Sequence, residues 1–314
     1  MHAMDGLLVI DKAADMTSHD VVAGARRILK ERRIGHTGTL DPFATGVLLV
    51  LVGRATRLAQ FLSGADKEYD AIIRLGYATD TGDRTGNPIP GPNASTGKTR
   101  FSGWTEAEIE QALASLRGWI DQVPPMYSAK KIGGKKLYEL ARRGEEVERE
   151  AVHVCIHEFE AIRPEGQLVK DNQDGTFDVH VHVVCSAGTY VRTLAEDFGK
   201  RLSVGAHLAE LRRTRVGDFS VTNAVTLEQL KTGFGEEAIG TIMLRPSAAL
   251  SRLPFVHLSA DDVRRARNGM EVKVGETSWA DGEKVKMCDD SDHLIAIGDF
   301  DATTKRLHPS VVLA

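Results

Sequence analysis

Gly35-His36-Thr37-Gly38-Thr39-Leu40-Asp41-Pro42-Phe43-Ala44-Thr45-Gly46 runs without a break into Val47-Leu48-Leu49-Val50-Leu51-Val52. The six-residue apolar run closed by Gly53 reads as a buried strand. The twelve residues before it hold hydroxyls, one imidazole, one carboxylate and three glycines. Glycine permits backbone conformations and close approaches that side chains forbid. Pro42 fixes φ just after Asp41 and removes a donor there. Asp41 is thus a single acid on a stiff loop at the edge of a buried element, where binding and catalytic groups concentrate. Thr39-Leu40-Asp41-Pro42 alone is equally a turn in which Asp41 caps the next element.

Outward from this block the chain alternates short strands and helices. Leu7 to Ile10 is a short apolar strand, and Thr17 and Ser18 offer N-cap hydroxyls to a helix through Val21, Val22, Ala25 and Ile28. Ala55 to Leu62 reads as a short helix and Lys67 to Leu75 as a strand. Residues 79 to 103 are rich in Gly, Pro, Asn, Asp and Thr and read as a long loop. Thr105 and Glu108 stand at capping-box spacing before Ile109, Leu113 and Leu116. Pro124 and Pro125 exclude a central strand there, and Lys136 to Gly144 reads as a short helix closed by the Gly144 C-cap. Val152 to Phe159 and Phe177 to Cys185 are strands, the second setting Val179, Val181 and Val183 against His180, His182 and Val184. A helix follows over Thr189 to Leu202, and Ala206 to Leu211 leads into a basic stretch. Between Leu250 and Pro254 the texture changes to one short helix (Ala260 to Asn268) and several short β-like runs.

At 314 residues one large domain plus a smaller one is expected. No run approaches the twenty or so apolar residues of a membrane span, and the first residues lack the charged and apolar regions of a signal peptide. Cys155, Cys185 and Cys288 are odd in number and widely spaced, against a disulfide framework or a zinc site. The expected location is the cytoplasm. Net charge is −4, but cations are segregated. Arg26, Arg27, Lys30, Arg32 and Arg33 face only Glu31 between residues 24 and 35; Lys130, Lys131, Lys135, Lys136, Arg142 and Arg143 face only Glu139 between 125 and 144. A third group, residues 192 to 215, holds Arg192, Lys200, Arg201, Arg212, Arg213 and Arg215 against three acids. Such segregation can place a positive face on an acidic protein.

The block around Asp41 closely resembles the nucleophile loop of the TruB family of tRNA pseudouridine synthases, G-H-T-G-T-L-D-P-x-A-T-G. Four further blocks follow family order: Leu7 to Lys12, Lys67-Glu68-Tyr69, Gly188-Thr189-Tyr190-Val191-Arg192-Thr193-Leu194-Ala195 and Gly205 to Thr214. Pro125 to Tyr138 resembles the family's RNA-gripping insertion, here about residues 124 to 152. Ala13 and Asp15 replace the usual Pro and Gly after Lys12, Phe43 and Leu49 replace Leu and Pro, and Lys130 replaces Leu.

The resemblance implies an α+β fold: a mixed, largely antiparallel sheet flanked by helices over residues 1 to 250, then a small PUA-like β-rich domain over 251 to 314. It implies isomerisation of uridine 55 in the tRNA T-loop to pseudouridine, with Asp41 as covalent nucleophile, Tyr69 stacking on the uracil and assisting at C5, and Arg192 pairing with Asp41. A cation beside a desolvated Asp keeps it ionised against burial. His36, Tyr190, Leu211, Lys12 and Thr39 are the implied substrate-binding positions, with Lys12 helping to position the active-site loop. Lys130, Lys131, Lys135, Lys136, Arg212 and Arg213 are the implied contacts to the RNA backbone. No cofactor and no metal is implied. The implied partner is the T-arm stem-loop of tRNA, with no membrane, no obligate protein partner and a monomeric enzyme. Attack at ribose C1′, directly or through a glycal, and attack at uracil C6 both stay open. So do two other readings, a non-catalytic tRNA-binding protein and a guide-RNA-directed synthase acting on ribosomal RNA.

Overall fold

The computed structural model describes residues 4–89, 103–128, 130–141, 143–145, 147–232 and 240–313. The apolar run after Gly46 forms strand β3 (Thr45–Val52), between β1 (Gly6–Lys12) on one edge and β2 (Ile34–Thr37) on the other. Residues 47 to 52 do not alternate with polar ones because both faces of β3 are covered. Val47, Leu49 and Leu51 enter one core, and Leu48, Val50 and Val52 enter another. Helix α1 (Ser18–Leu29) closes the second core with Val21, Val22, Ala25 and Leu29. Thr17 is its N-cap, in a reciprocal capping box with Asp20. Ser18, expected to share that task, turns to the loop before β3: its hydroxyl donates to Leu40 O (3.2 Å) and accepts from Leu40 N (3.0 Å).

After a 3-10 turn and the short α2 (Ala59–Leu62), β4 (Lys67–Gly76) opens the middle of the sheet. The loop-like stretch that follows contains two tiny paired strands, β5 (Ala78–Thr79) and β6 (Pro88–Ile89); residues 90 to 102 lie outside the described residues. Helix α3 (Glu106–Ala114) carries the expected Thr105–Glu108 capping box and buries Ile109 and Leu113. Next come β7 (Gly118–Gln122), the two-residue strands β8 (Lys131–Ile132) and β9 (Lys135–Lys136), and α4 (Leu137–Ala141). They are followed by β10 (Val152–Ile162), β11 (Lys170–Asp171), β12 (Phe177–Cys185) and α5 (Val191–Arg201). On β12, Val179, Val181 and Val183 are fully buried and His180 and His182 face the other side.

The sequence from Gly205 to Val216, expected only to lead into a basic stretch, is the twelve-residue strand β13. Its arginines hide the period-2 pattern. Sheet order is β1-β3-β13-β4-β12-β10-β7, with β2, β11 and β14 (Phe219–Ser220) alongside. Every pairing is antiparallel except β3 with β13, giving the mixed, largely antiparallel sheet. Helices α3 and α5 cover the face that buries Tyr69, Ala71, Ile73, Phe159 and Phe198. Beyond α6 (Leu227–Thr232), residues 255 to 312 build a second, five-stranded sheet in the order β15 (Phe255–His257), β17 (Lys284–Cys288), β18 (Leu294–Asp301), β19 (Arg306–Val312), β16 (Val272–Lys273), with a helix over Ala260–Arg267. Cys288, Leu294 and Ile297 of this sheet, and Leu313 just after it, share a core with Leu7, Val9, Leu49 and Leu51 of the first. Among the described residues no helix is long and apolar enough to cross a membrane.

Candidate active site

Strand β3 changes partners along one edge. Thr45 and Gly46 pair with Arg212 and Arg213 of β13, whereas Leu49 to Val52 pair with β2. The loop 38–44 leaves the sheet at this fork, and the Arg213 side chain fills it. Its Nε donates to Val47 O (2.7 Å) and its Nη2 to Gly38 O (2.8 Å), and the residue is 1% exposed. Gly46 sits against the same arginine: a Cβ there would lie 2.1 Å from Arg213 O, and its φ is +102°. The expectation that Arg213 meets the RNA backbone is therefore corrected, since a buried guanidinium committed to two carbonyls is not available to an external phosphate.

Lys12, expected both to position the loop and to bind substrate, is likewise committed to backbone. It is buried, and its Nζ donates to Ala13 O (2.8 Å), Met16 O (2.8 Å) and Pro42 O (3.1 Å). All three N–H donors are used on backbone, so Lys12 holds the loop and does not bind substrate. Burial lowers its pKa to about 8, against the raising influence of Asp41.

The loop thereby presents Asp41 to Arg192, which the first turn of α5 supplies. Arg192 Nε lies 2.9 Å from Asp41 Oδ2, and Nη2 donates to Asp41 Oδ1 (3.2 Å). Nη2 also donates to Tyr127 O (2.7 Å) and Nη1 to Thr81 O (2.8 Å), with Asp83 Oδ2 3.7 Å from Nη1. The fork is thus fixed from several elements, and its side chain is 6% exposed while that of Asp41 remains 33% exposed. Burial pushes the Asp41 carboxyl above its ordinary value; the Arg192 guanidinium opposes that shift and Asp83 adds to it. A partly desolvated carboxylate is more basic than one in water.

Asp41 and Arg192 line a cavity of about 280 Å³ together with Thr39, Tyr69, Tyr190 and Leu211. Tyr69 comes from β4, opposite Arg213 on β13. Burial raises the Tyr69 pKa, countered by Arg213, so the phenol stays neutral at neutral pH. Tyr190, the N-cap of α5, is held by its backbone N–H donating to Gln122 Oε1 (2.9 Å). His36 is not among the cavity-lining residues. It lies on β2 opposite Val50, edge-on to His19, and burial lowers its pKa to about 4, leaving it neutral. Arg212 is turned away and forks onto Asp11 (3.1 and 2.7 Å). Lys130 is half-buried and Lys135 exposed; the side chains of Lys131 and Lys136, and all of Arg142, lie outside the described residues.

Sequence reasoning missed Lys67, Ser128, Asp83 and Gln122. Lys67 lines the cavity, donates to Ser63 O (2.8 Å) and Ala65 O (2.6 Å), and is lowered to about 8 by burial and Arg213. A lysine two residues before Tyr69 was the available signal. Asp83 and Gln122 act through partners distant in sequence and left none.

Two family models match. That of the TruB family pseudouridylate synthase N-terminal domain covers residues 26–191, and that of the tRNA pseudouridylate synthase B C-terminal domain covers 192–246. The tRNA pseudouridine synthase B of Symbiobacterium thermophilum is 47% identical over 268 residues, 85% of this chain and 83% of that protein. That of Bacillus cytotoxicus is 39% identical over 299 residues, 94% and 92%. Among solved structures, a chain in the crystal structure of a Cbf5–Nop10–Gar1 complex is similar with a TM-score of 0.70 and 27% identity, over 98% of this chain and 85% of that one. The chain belongs to the TruB family of pseudouridine synthases.

Proposed function

We propose that this protein isomerises uridine 55 in the T-loop of tRNA to pseudouridine, with Asp41 as the covalent nucleophile. The observation that carries the reading is the Asp41–Arg192 pair, the acid partly open to a cavity that Tyr69, Tyr190 and Leu211 also line. The tRNA substrate is that named for the relatives from Symbiobacterium thermophilum and Bacillus cytotoxicus. A base whose glycosidic bond must break and re-form cannot react while stacked, so the uridine is flipped out into the cavity. Asp41 then adds to the ribose at C1′, directly or through a glycal, or to the uracil at C6. The N1–C1′ bond breaks, the C5–C1′ bond forms, the bond to Asp41 is broken again to free the carboxylate, N1 gains a proton and C5 loses one. Tyr69 stacks on the base, and its neutral phenol relays the C5 proton. Atoms and electrons balance within the nucleotide, without a cofactor. Lys130 and Lys135, with Lys131 and Lys136, grip the backbone of the T-arm, and residues 251–314 serve as a PUA-like accessory domain to the catalytic unit 1–250.

The test is incubation of the purified chain with an unmodified T-arm stem-loop, without guide RNA, followed by mapping of the modified nucleotide. A single pseudouridine at position 55 is expected. Asp41→Asn should bind the same RNA and form none, a loss of at least about 10⁴-fold. Modification elsewhere, dependence on an added guide, or an active Asp41→Asn enzyme would overturn the reading.

A further inference from the structure

Ser128 lies in the segment that enters the RNA-gripping insertion, yet it lines the same cavity as Asp41, Tyr69 and Arg192. The residue is 5% exposed, and its hydroxyl oxygen is buried with no hydrogen-bond partner among the described residues. The hydroxyls of Thr37 and Thr277 are orphaned in the same way but do not line the cavity. A buried hydroxyl without a partner costs free energy that an alanine would not. At a ligand cavity that cost is removed when the ligand brings the partner.

The position is also fixed. Ser128 follows Tyr127, whose carbonyl accepts 2.7 Å from Arg192 Nη2, the same nitrogen that donates to Asp41 Oδ1. The orphan hydroxyl is therefore on the residue next to the one whose carbonyl is hydrogen-bonded to Arg192.

We propose that the Ser128 hydroxyl is a substrate-positioning group, hydrogen-bonded to the flipped uridine at its uracil edge or its ribose 2′-hydroxyl. This rests on the pseudouridine synthase reading above and adds to it a residue of the insertion that touches the nucleotide itself. A hydroxyl both donates and accepts, so it suits a ring carbonyl, the N3–H or the 2′-hydroxyl equally.

Ser128→Ala and the isosteric Ser128→Cys should each lower kcat/KM on a T-arm stem-loop about three- to tenfold, the size of one neutral hydrogen bond. The melting temperature of free Ser128→Ala should be no lower than that of the wild type, which a merely structural serine would not allow. Binding is then measured in the Asp41→Asn background, with and without Ser128→Ala, to three RNAs: uridine, 2′-deoxyuridine or an abasic ribose at the target position. A penalty that disappears on the abasic RNA assigns the bond to the base; one that disappears on the 2′-deoxy RNA assigns it to the ribose. Equal penalties on all three, no penalty on any, or a lowered melting temperature would overturn the proposal. Because binding needs no turnover, these arms report even if Asp41 is not the nucleophile. Wild-type protein that forms no pseudouridine at all would instead sink the earlier reading, and with it the ligand named here.

Discussion

At Asp41 two influences act in opposite directions. Burial pushes its carboxyl up, Arg192 pulls it down, and the net shift is upward. In the role proposed for it above, Asp41 must be ionised, so kcat/KM should fall on the acid side with an apparent pKa above the ordinary Asp value of about 3.9. Arg192→Gln removes the opposing cation and should move that limb to still higher pH; an unmoved limb would show that another group titrates. The sign for stability follows from the same shift. A carboxyl whose folded pKa is raised binds its proton more tightly when folded, a contribution present below the unfolded pKa and lost as pH rises through the folded one. Ionised Asp41 is therefore a burden at neutral pH. Asp41→Asn should melt no lower than the wild type at pH 7, and the difference should shrink toward acid pH. Arg213 predicts the reverse. Arg213→Met leaves the Gly38 and Val47 carbonyls unpaired at a buried site and should cost about 2–4 kcal/mol in denaturant unfolding, while Arg212→Ala at the half-exposed Asp11 pair costs under about 1. Asp41 and Arg192 could be singled out because a dense motif surrounds each, whereas Tyr69, in the short Lys67-Glu68-Tyr69, stood out only through the family resemblance. The contrast between Arg212 and Arg213 was not legible: only a strand assignment reveals that neighbours point to opposite faces, and the run Leu-Arg-Arg-Thr-Arg conceals the strand.

Between residues 38 and 44 the loop that carries Asp41 has no regular structure of its own, and three elements hold it. Lys12 at the end of β1 grips Pro42 O, Ser18 at the start of α1 grips both backbone groups of Leu40, and Arg213 of β13 grips Gly38 O. Ser18→Ala would leave the Leu40 N–H and C=O, both inside a buried site, without that hydroxyl. It should cost about 1–3 kcal/mol in denaturant unfolding and lower kcat more than it raises KM. A stable variant with only KM altered would show that the loop is held without Ser18. The glycines of the opening motif looked alike in the sequence, and the packing ranks them. Gly35 has no positive φ and would bring a Cβ only to 3.8 Å from Thr56 Cγ2, so Gly35→Ala should melt close to the wild type. Gly46→Ala puts a Cβ into the backbone of β13 at positive φ and should cost more than about 3 kcal/mol, read as failure to recover folded protein or as a large drop in melting temperature. The apolar run of β3 announced a buried strand, but not the change of partner along its edge. That fork depends on where β13 docks, more than 160 residues later, and no local pattern encodes it.

Over the whole molecule the three basic segments separate by fate. In the last, Arg192 and Arg213 are buried, Arg212 and Arg215 are paired with Asp11 and Glu68, and of its cations only Lys200 and Arg201 stand exposed. In the first, Arg27, Lys30 and Arg32 stand exposed at or just beyond the end of α1 and form no side-chain hydrogen bond or ion pair among the described residues; Arg26 is tied to Ile34 O and Arg33 to Thr56. Exposed Lys135 and Arg143 remain in the second. On a protein of net charge −4, these exposed cations of the first two segments are the proposed contacts to a polyanion. Each phosphate neutralised releases counterions, so log K for a T-arm stem-loop should fall linearly with log salt. The slope should shrink by about 1 for Lys135→Ala, and by a similar amount for Arg32→Ala, since each removes about one phosphate contact. Arg212→Ala should leave the slope unchanged, because a guanidinium already paired with Asp11 neutralises no phosphate and so releases no counterion from the RNA. Fluorescence anisotropy between about 50 and 200 mM salt resolves such differences. Should Arg212→Ala flatten the slope as much as Lys135→Ala does, the Asp11 pair opens on binding and the third segment belongs to the RNA surface after all.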